Sequence, residues 1–334
     1  MNRREFLLKG ALSAGAFALP QTQLVFRNNA VFPQRESLNF GIVADVHHSM
    51  MPDTEQRLST FMDAARKQKV DFIIQLGDFC HKQPESKSFL KTWNQFKGPK
   101  YHVLGNHDMD LCSKAEIMEY WEMSQNYYTF TQKGIRFVVL DANYLYQDGQ
   151  FIDYSNGNFY VDNRLRTYID NNQIEWFKAV LENAEYPVIV FSHQSLWHYQ
   201  GGVKNRLSLQ KIMEKHQDKI ICCFNGHNHI DFHHQQNGIH YVEINSMSYQ
   251  WVGDQSQVKQ TPPALLEQYK WLNHLAPYQD PLYAFASLDP AGSLEIKGVR
   301  SQWVSPSPTE MGLAKQVYGN EYSPEISDYK INFQ

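Results

Sequence analysis

An α/β fold is what this 334-residue sequence predicts, and three observations carry the prediction. Apolar runs of strand length alternate with amphipathic stretches of helical period over most of the chain. Several of these runs close on Gly, Asp, Asn or His, and in α/β proteins ligand sites lie where strands end and loops begin. Other runs come in pairs around short turns such as Lys133-Gly134 and Asn237-Gly238, the mark of hairpins.

A polar linker reaches about Ser37, after which "LNFGIVADVH" reads as a buried strand and Thr54 to Lys69 follows with helical spacing. "VDFIIQLGDF" is a second strand, a helix runs from about Ser86 to Phe96, and "KYHVLGNHD" is a third strand. "NYYTFTQ" and "IRFVVLDAN" are paired strands. Tyr144 to Arg166 is polar and aromatic without a clear period, a loop long enough to suggest a functional lid. The helix "NQIEWFKAVLENA" leads to the strand "PVIVFSH", and a helix near Leu207 to His216 leads to the strand that ends at "NGHNH". Two hairpins follow, "FHHQQNGIHYVEINS" and "LYAFASLDPAGSLEIKGV". One domain is expected over residues 38–300, with residues 301–334 as a tail wrapped on its surface.

The bulk numbers exclude some functions. With 42% hydrophobic and 20% charged residues the chain reads as an ordinary soluble protein. A formal charge of −4 offers no basic field, so no long nucleic acid is expected as a partner. The four cysteines, Cys80, Cys112, Cys222 and Cys223, lack zinc-type spacing. Cys222 and Cys223 are neighbours on a strand and point to opposite faces, so they read as small buried hydrophobes rather than a pair.

The first residues, "MNRREFLLKGALSAGAFALP", resemble a twin-arginine export signal: Arg3-Arg4, then Phe6-Leu7, then a weakly apolar stretch. Residues 1–22 are therefore expected to address the folded protein to the twin-arginine export machinery and on to the periplasm or the exterior. The stretch from Ala11 to Pro20 is too short for a stable membrane anchor.

Five strand ends carry polar groups in the same relative place. They are "ADVH" (Asp45, His47), "GD" (Asp78), "GNHD" (Asn106, His107, Asp108), "FSH" (His193) and "GHNH" (His227, His229). Carboxylate, imidazole and amide oxygen, with no thiolate required, suit hard or borderline divalent metals. His227 and His229 stand one residue apart, behind Gly226, which is expected to permit the turn that aims both at one site.

In this order the motifs resemble the calcineurin-like metallophosphoesterase superfamily, most closely the bacterial phosphodiesterases and the manganese-dependent ADP-ribose/CDP-alcohol diphosphatases. The resemblance implies a four-layer α/β/β/α sandwich with two divalent metal ions at the strand ends, whether Mn, Fe, Zn or Co. It places one ion on Asp45, His47, Asp78 and His229, and the other on Asp78, Asn106, His193 and His227. It makes His107 the catalytic group at the leaving oxygen and Asp108 the group that orients an imidazole. The activity implied is hydrolysis of small phosphorylated substrates, nucleotide-type diesters or diphosphates. A broad phosphomonoesterase and a metal-poor scaffold of the same fold are the alternatives.

The chain departs from the family pattern at His81, where many members carry an aspartate and purple phosphatases a tyrosine. The departure removes the carboxylate that steadies the catalytic histidine, and an imidazole there is expected to bond His107 weakly or to repel it. Aromatics after His193 (Trp197, Tyr199) and in the late loop (Trp251) are expected to rim the metal cleft and to stack on a base.

Overall fold

The central strands of the two large sheets are apolar on both faces, whereas edge strands such as Tyr128–Gln132 and Phe232–Gln236 turn polar residues to solvent. The computed structural model describes residues 36–255, 261–313 and 316–333, all within the unit Val31–Gln334. The segment read as an export signal lies outside the described residues.

Strand β1 (Leu38–Val43) leads through helix α1 (Thr54–Gln68) to β2 (Phe72–Gln75), and helix α2 (Ser86–Trp93) leads to β3 (Lys100–His102). Helix α3 (Lys114–Tyr120) precedes the hairpin of β4 (Tyr128–Gln132) and β5 (Ile135–Val139). Three short strands follow, β6 (Tyr144–Gln147), β7 (Gln150–Asp153) and β8 (Arg166–Tyr168). Helix α4 (Asn171–Glu182), β9 (Val188–Phe191), helix α5 (Arg206–Lys215) and β10 (Ile220–Asn225) come next. After the hairpin β11 (Phe232–Gln236) and β12 (Ile239–Glu243), β13 (Tyr249–Trp251) and β14 (Leu275–Pro277) flank helix α6 (Pro263–Gln268). The last elements are β15 (Ala284–Asp289), β16 (Ser293–Gly298), β17 (Gln316–Val317), β18 (Asn320–Glu321) and β19 (Tyr329–Asn332).

Two six-stranded sheets result, ordered β19-β16-β15-β1-β2-β3 and β11-β12-β10-β9-β5-β4. In the first, β1, β2 and β3 are parallel and β15 is antiparallel to β1. In the second, β5, β9, β10 and β12 are parallel. Phe40, Ile42, Phe72 and Ile74 of the first sheet meet Phe137, Val139, Phe191 and Phe224 of the second in one buried core. The Phe40 ring stacks on Phe72 at 4.7 Å and meets Phe137 edge-on at 5.6 Å, and burying each such ring contributes on the order of 2–3 kcal/mol. On the outer face of the first sheet, Val43 and Ile73 pack with Phe61 of α1 and Phe89 of α2. On that of the second, Val138, Val190 and Cys223 pack with Phe177 of α4 and Met213 of α5. The layers are therefore helix, sheet, sheet, helix, as expected. Cys222 joins the inner core and Cys223 the outer one, so the two thiols do point to opposite faces.

Two expectations need correction. Tyr144 to Arg166 is no unstructured lid, because it contains the small antiparallel sheet β7-β6-β8. Its strands are three or four residues long, too short to show a period, and β7 is largely solvent-facing. Lys114 fastens this sheet: its Nζ lies 2.7 Å from both Asp141 and Asp153 and 3.5 Å from the centre of the Tyr144 ring. The tail, in turn, does more than wrap the surface. Ile331 of β19 pairs with Leu294 of β16 and is buried in the inner core together with Ile326. One apolar residue in alternate positions over four residues was too weak a pattern to mark an edge strand. Helix α3, also unmarked by a long period, starts at a reciprocal capping box between Ser113 and Glu116.

Candidate metal centre and its cleft

The five polar strand ends meet. β1, β2, β9 and β10 all end at the same rim, and their following loops are laced by backbone bonds. The Asp45 amide donates to the Gly77 carbonyl at 3.1 Å, that of His47 to the Asp78 carbonyl at 2.9 Å, and that of Gly226 to the His193 carbonyl at 2.9 Å. Asp45, His47, Asp78, His227 and His229 all have φ between 49° and 70°. This left-handed backbone is uncommon for residues with a β-carbon, and it clusters at functional sites when the surroundings hold it.

Two triads of side chains result, Asp45 with His47 and His229, and Asp78 with His193 and His227. In the first, His229 Nε2 is 3.3 Å from Asp45 Oδ1 and 3.2 Å from His47 Nε2. In the second, His193 Nε2 is 3.2 Å from both Asp78 Oδ2 and His227 Nδ1. Asp78 Oδ2 lies between the triads, 3.7 Å from His47 Nε2 on its other side.

Hydrogen bonding alone does not explain these contacts. His229 Nδ1 donates to the Tyr249 carbonyl at 2.9 Å and His193 Nδ1 to the Leu76 carbonyl at 2.7 Å. Each ring therefore turns its Nε2 toward a carboxylate oxygen, a contact that needs a cation or a proton between the two atoms. Asp45 Oδ1 is buried with no hydrogen-bond partner. Burial also drives His47 and His227 well below the usual imidazole range, which leaves them neutral and able to donate a lone pair. His193 shows the other side of the same field. Burial lowers it, but Asp78 and Asp45 outweigh burial and push it up to about 9. Carboxylates and imidazoles gathered with unmet negative charge fit a pair of divalent ions.

The spacing of His227 and His229 has a local cause that differs from the one expected. Gly226 does not take a left-handed turn; His227 does, at φ 70°, and the Asn228 amide donates back to the Gly226 carbonyl at 2.8 Å. This γ-turn with positive φ is rare and strained, and it sends the two imidazoles into different triads. Gly226 is needed for space: a β-carbon there would lie 2.6 Å from Asp45 Oδ2. That same oxygen accepts the His227 amide at 2.9 Å. Gly77 is needed twice over, with φ at 98° and a would-be β-carbon 2.5 Å from His193 Nδ1. Asn106 is buried, and its Oδ1 meets Gln194 Nε2, next in the chain to His193, only at 3.4 Å.

The Asp108 assignment is corrected by the structure. Its carboxylate is spent on backbone, accepting the amides of Asp78 at 3.0 Å, Phe79 at 2.7 Å and Gly105 at 2.8 Å. It ties the β2 and β3 ends together and orients no imidazole. The group that does meet His107 is Asp110, whose Oδ2 is 3.0 Å from His107 Nδ1. Asp110 also faces His81 Nε2 at 3.5 Å. The carboxylate missing at residue 81 is thus supplied from residue 110, and His81 meets that carboxylate rather than opposing His107 directly. Burial lowers the His107 imidazolium, but Asp78 and Asp110 outweigh it and raise the group to about 9. Nothing in the motif order marks Asp110; the i, i+3 spacing in "HDMD" is the one signal that could have found it.

The triads lie at the floor of a cleft of about 850 Å³. Trp251, Tyr269, Trp271 and Tyr318 line it, joined by Tyr160 and Leu111 across the opening. Trp251 and Trp271 are 6.1 Å apart and both more than two-fifths exposed. Of the aromatics expected at the rim, Trp251 is there, but Trp197 and Tyr199 are not among the lining residues. Trp197 packs on His234 at 4.2 Å and on Tyr241 at 5.4 Å, because its loop folds back on β11 and β12. Trp271 and Tyr318 were missed, since each sits in a stretch without a period.

Residues 38–231 match the calcineurin-like phosphoesterase family. A manganese-dependent ADP-ribose/CDP-alcohol diphosphatase of Oryza sativa subsp. japonica is 25% identical, over 62% of this chain and 83% of its own length. In fold the chain is similar to a dimetal phosphatase from Danio rerio, with a TM-score of 0.59 and 18% identity over 81% of this chain and 99% of the other. It is also similar to GAP50, the anchor in the inner membrane complex of Plasmodium, with a TM-score of 0.53 and 15% identity over 89% of each. The family match runs from β1 past His229 and so takes in all five strand ends, with two triads fit for divalent ions at their meeting point. The chain belongs to the calcineurin-like phosphoesterase family and is a metal-dependent hydrolase of phosphate esters.

Proposed function

We propose that the protein hydrolyses small nucleotide-type phosphodiesters or diphosphates. Asp45, His47, Asp78 and His229 would hold one ion, and Asp78, Asn106, His193 and His227 would hold the other. The observation that carries this reading is the place of Asp78, in one triad and 3.7 Å from His47 of the other, at the floor of a cleft with an aromatic rim. When bound, two such ions supply a water nucleophile near neutral pH and offset charge on the phosphoryl oxygens. The chain's own part is to hold the ligands in strained, preset positions and to present His107 to the leaving oxygen. The rim then stacks on the planar part of the substrate.

Charge narrows the substrate further. Histidines aside, Lys270 is the one cationic residue among the described lining residues, so phosphate charge is met mainly at the metal centre. That suits one or two phosphates rather than a polyanion, and the likeness to an ADP-ribose/CDP-alcohol diphosphatase supports the same class. Manganese is the ion we expect to support the highest rate.

The test is a panel of monoesters, diesters and diphosphates assayed with Mn, Fe, Zn or Co, with bound metal quantified. Nucleotide substrates are expected to show lower KM than simple aryl phosphates. Trp251→Ala and Trp271→Ala are each expected to raise the nucleotide KM by an amount matching stacking of about 1–3 kcal/mol. Equal KM values for nucleotide and aryl substrates would favour a broad phosphomonoesterase instead.

The export reading rests on Arg3-Arg4 and the apolar stretch after them. We expect the Arg3→Lys, Arg4→Lys double variant to remain in the cytoplasm, folded and active. Its normal appearance in the periplasm would overturn this reading.

A further inference from the structure

The small sheet is tied to the catalytic loop, and the tie ends on one side chain. The Asn156 amide donates to the Cys112 carbonyl at 3.0 Å, and the Gly157 amide to the Met109 carbonyl at 3.0 Å. Phe159 is buried, 4.8 Å from Tyr154, and meets the His107 ring edge-on at 5.8 Å. These contacts seat the β7–β8 connection on the residues that follow His107. Tyr160 comes next, and its hydroxyl lies 3.1 and 3.2 Å from the two Asp110 oxygens and 3.2 Å from His107 Nδ1.

The geometry points to Tyr160 as a positioning residue: by fixing Asp110 it holds the His107 ring in the attitude that turns Nε2 toward the leaving group. A phenol has one proton to give, and the carboxylate is the better acceptor. The hydroxyl oxygen is then left to accept from His107 Nδ1, which shares its proton between Asp110 Oδ2 at 3.0 Å and Tyr160 Oη at 3.2 Å. With Nδ1 held as a donor on both sides, the proton that can be passed on sits on Nε2. Asp110 alone leaves the ring free to pivot about a single bond. Two acceptors at Nδ1 define the ring plane as well as the tautomer. Tyr160 is 63% exposed, so neither core packing nor burial explains a hydroxyl held by three contacts.

This inference rests on the proposed role of His107, and two readouts separate the two ideas. Tyr160→Phe keeps the ring and removes only the hydroxyl. In zinc-loaded protein, the 15N spectrum of the His107 imidazole reports its tautomer and hydrogen bonding directly. A shifted Nδ1 resonance in Tyr160→Phe is expected, and a spectrum identical to the parent's would overturn the positioning role whatever His107 does. The second readout compares a diester whose leaving group is a simple alcohol with one that leaves as dinitrophenolate. The kcat of Tyr160→Phe is expected to fall about 5–10-fold more on the alcohol ester, with KM within twofold and metal content retained. Asp110→Asn should lose more in the same direction. An equal loss on both esters, or a loss confined to KM, would make Tyr160 a substrate contact and sink the inference. The same ester pair applied to His107→Ala judges the leaving-group role itself, independently of the spectrum.

Discussion

Asp78→Asn is expected to reduce turnover to background and to strip metal from both positions at once. The carboxylate stands between the triads, with Oδ2 3.2 Å from His193 Nε2 and 3.7 Å from His47 Nε2. Its other oxygen, Oδ1, accepts the His107 amide at 2.8 Å. An asparagine has one acceptor oxygen to offer. If that oxygen keeps the bond to the amide, an NH₂ group faces the ions; if it turns to the ions, the His107 amide is left buried against a donor. Either arrangement also removes a negative charge shared by two cations. The affinity lost should exceed the roughly 10–100-fold typical of removing a group that only supports a ligand. Elemental analysis after dialysis, read beside circular dichroism to confirm folding, checks this. One ion bound at parental affinity would show that Asp78 serves a single position.

His107→Ala separates chemistry from metal binding. The ring belongs to neither triad, and it sits 5.5 Å from the His47 ring at the cleft side of the centre. Both ions should stay bound while kcat falls by roughly 100-fold or more, the scale of a lost general acid. Asp110 would then keep only His81 and Tyr160 as partners, so some loss of thermal stability is acceptable to this reading. Full activity would refute the role. A parallel loss of metal would reassign the ring to the ligand set.

Much of this centre was legible in the sequence because its ligands sit at strand ends, and buried strands announce themselves. "LNFGIV", "FIIQ", "VIVF" and "IICCFN" are apolar runs whose neighbours are forced to the same rim by a parallel sheet. What escaped reading depends on contacts between segments far apart in the chain. Asp108 and Asp110 are indistinguishable as sequence, and only folding shows that one faces three amides and the other an imidazole. Gly226 looked like a hinge, but its role is the room it leaves for Asp45, some 180 residues earlier. Trp197 and Trp271 are equally plausible rim residues on paper; a loop that turns back onto Tyr241 half-buries the first away from the cleft, while the second lines the opening. The small sheet was invisible because its strands are shorter than the window in which alternation can be recognised.

The pairing of β1 with β15 has a consequence for how the chain comes to be folded. Leu38 lies opposite Leu288 and Ile42 opposite Ala284, so the first strand of the domain acquires one of its two neighbours only after nearly everything else has been made. Until then a nascent chain presents β1 with an open, strongly apolar edge, which is a template for aggregation. Such high contact order slows folding, since the loop-closure entropy is spent before the contact is won. A partly synthesised chain can gather every ligand from Asp45 to His229 and still lack the strand that seals the sheet carrying Asp45 and Asp78. Metal arriving at that stage would meet a centre whose floor is still open on one side. Chaperone demand should therefore peak before synthesis has passed residue 289, and metal loading only after it.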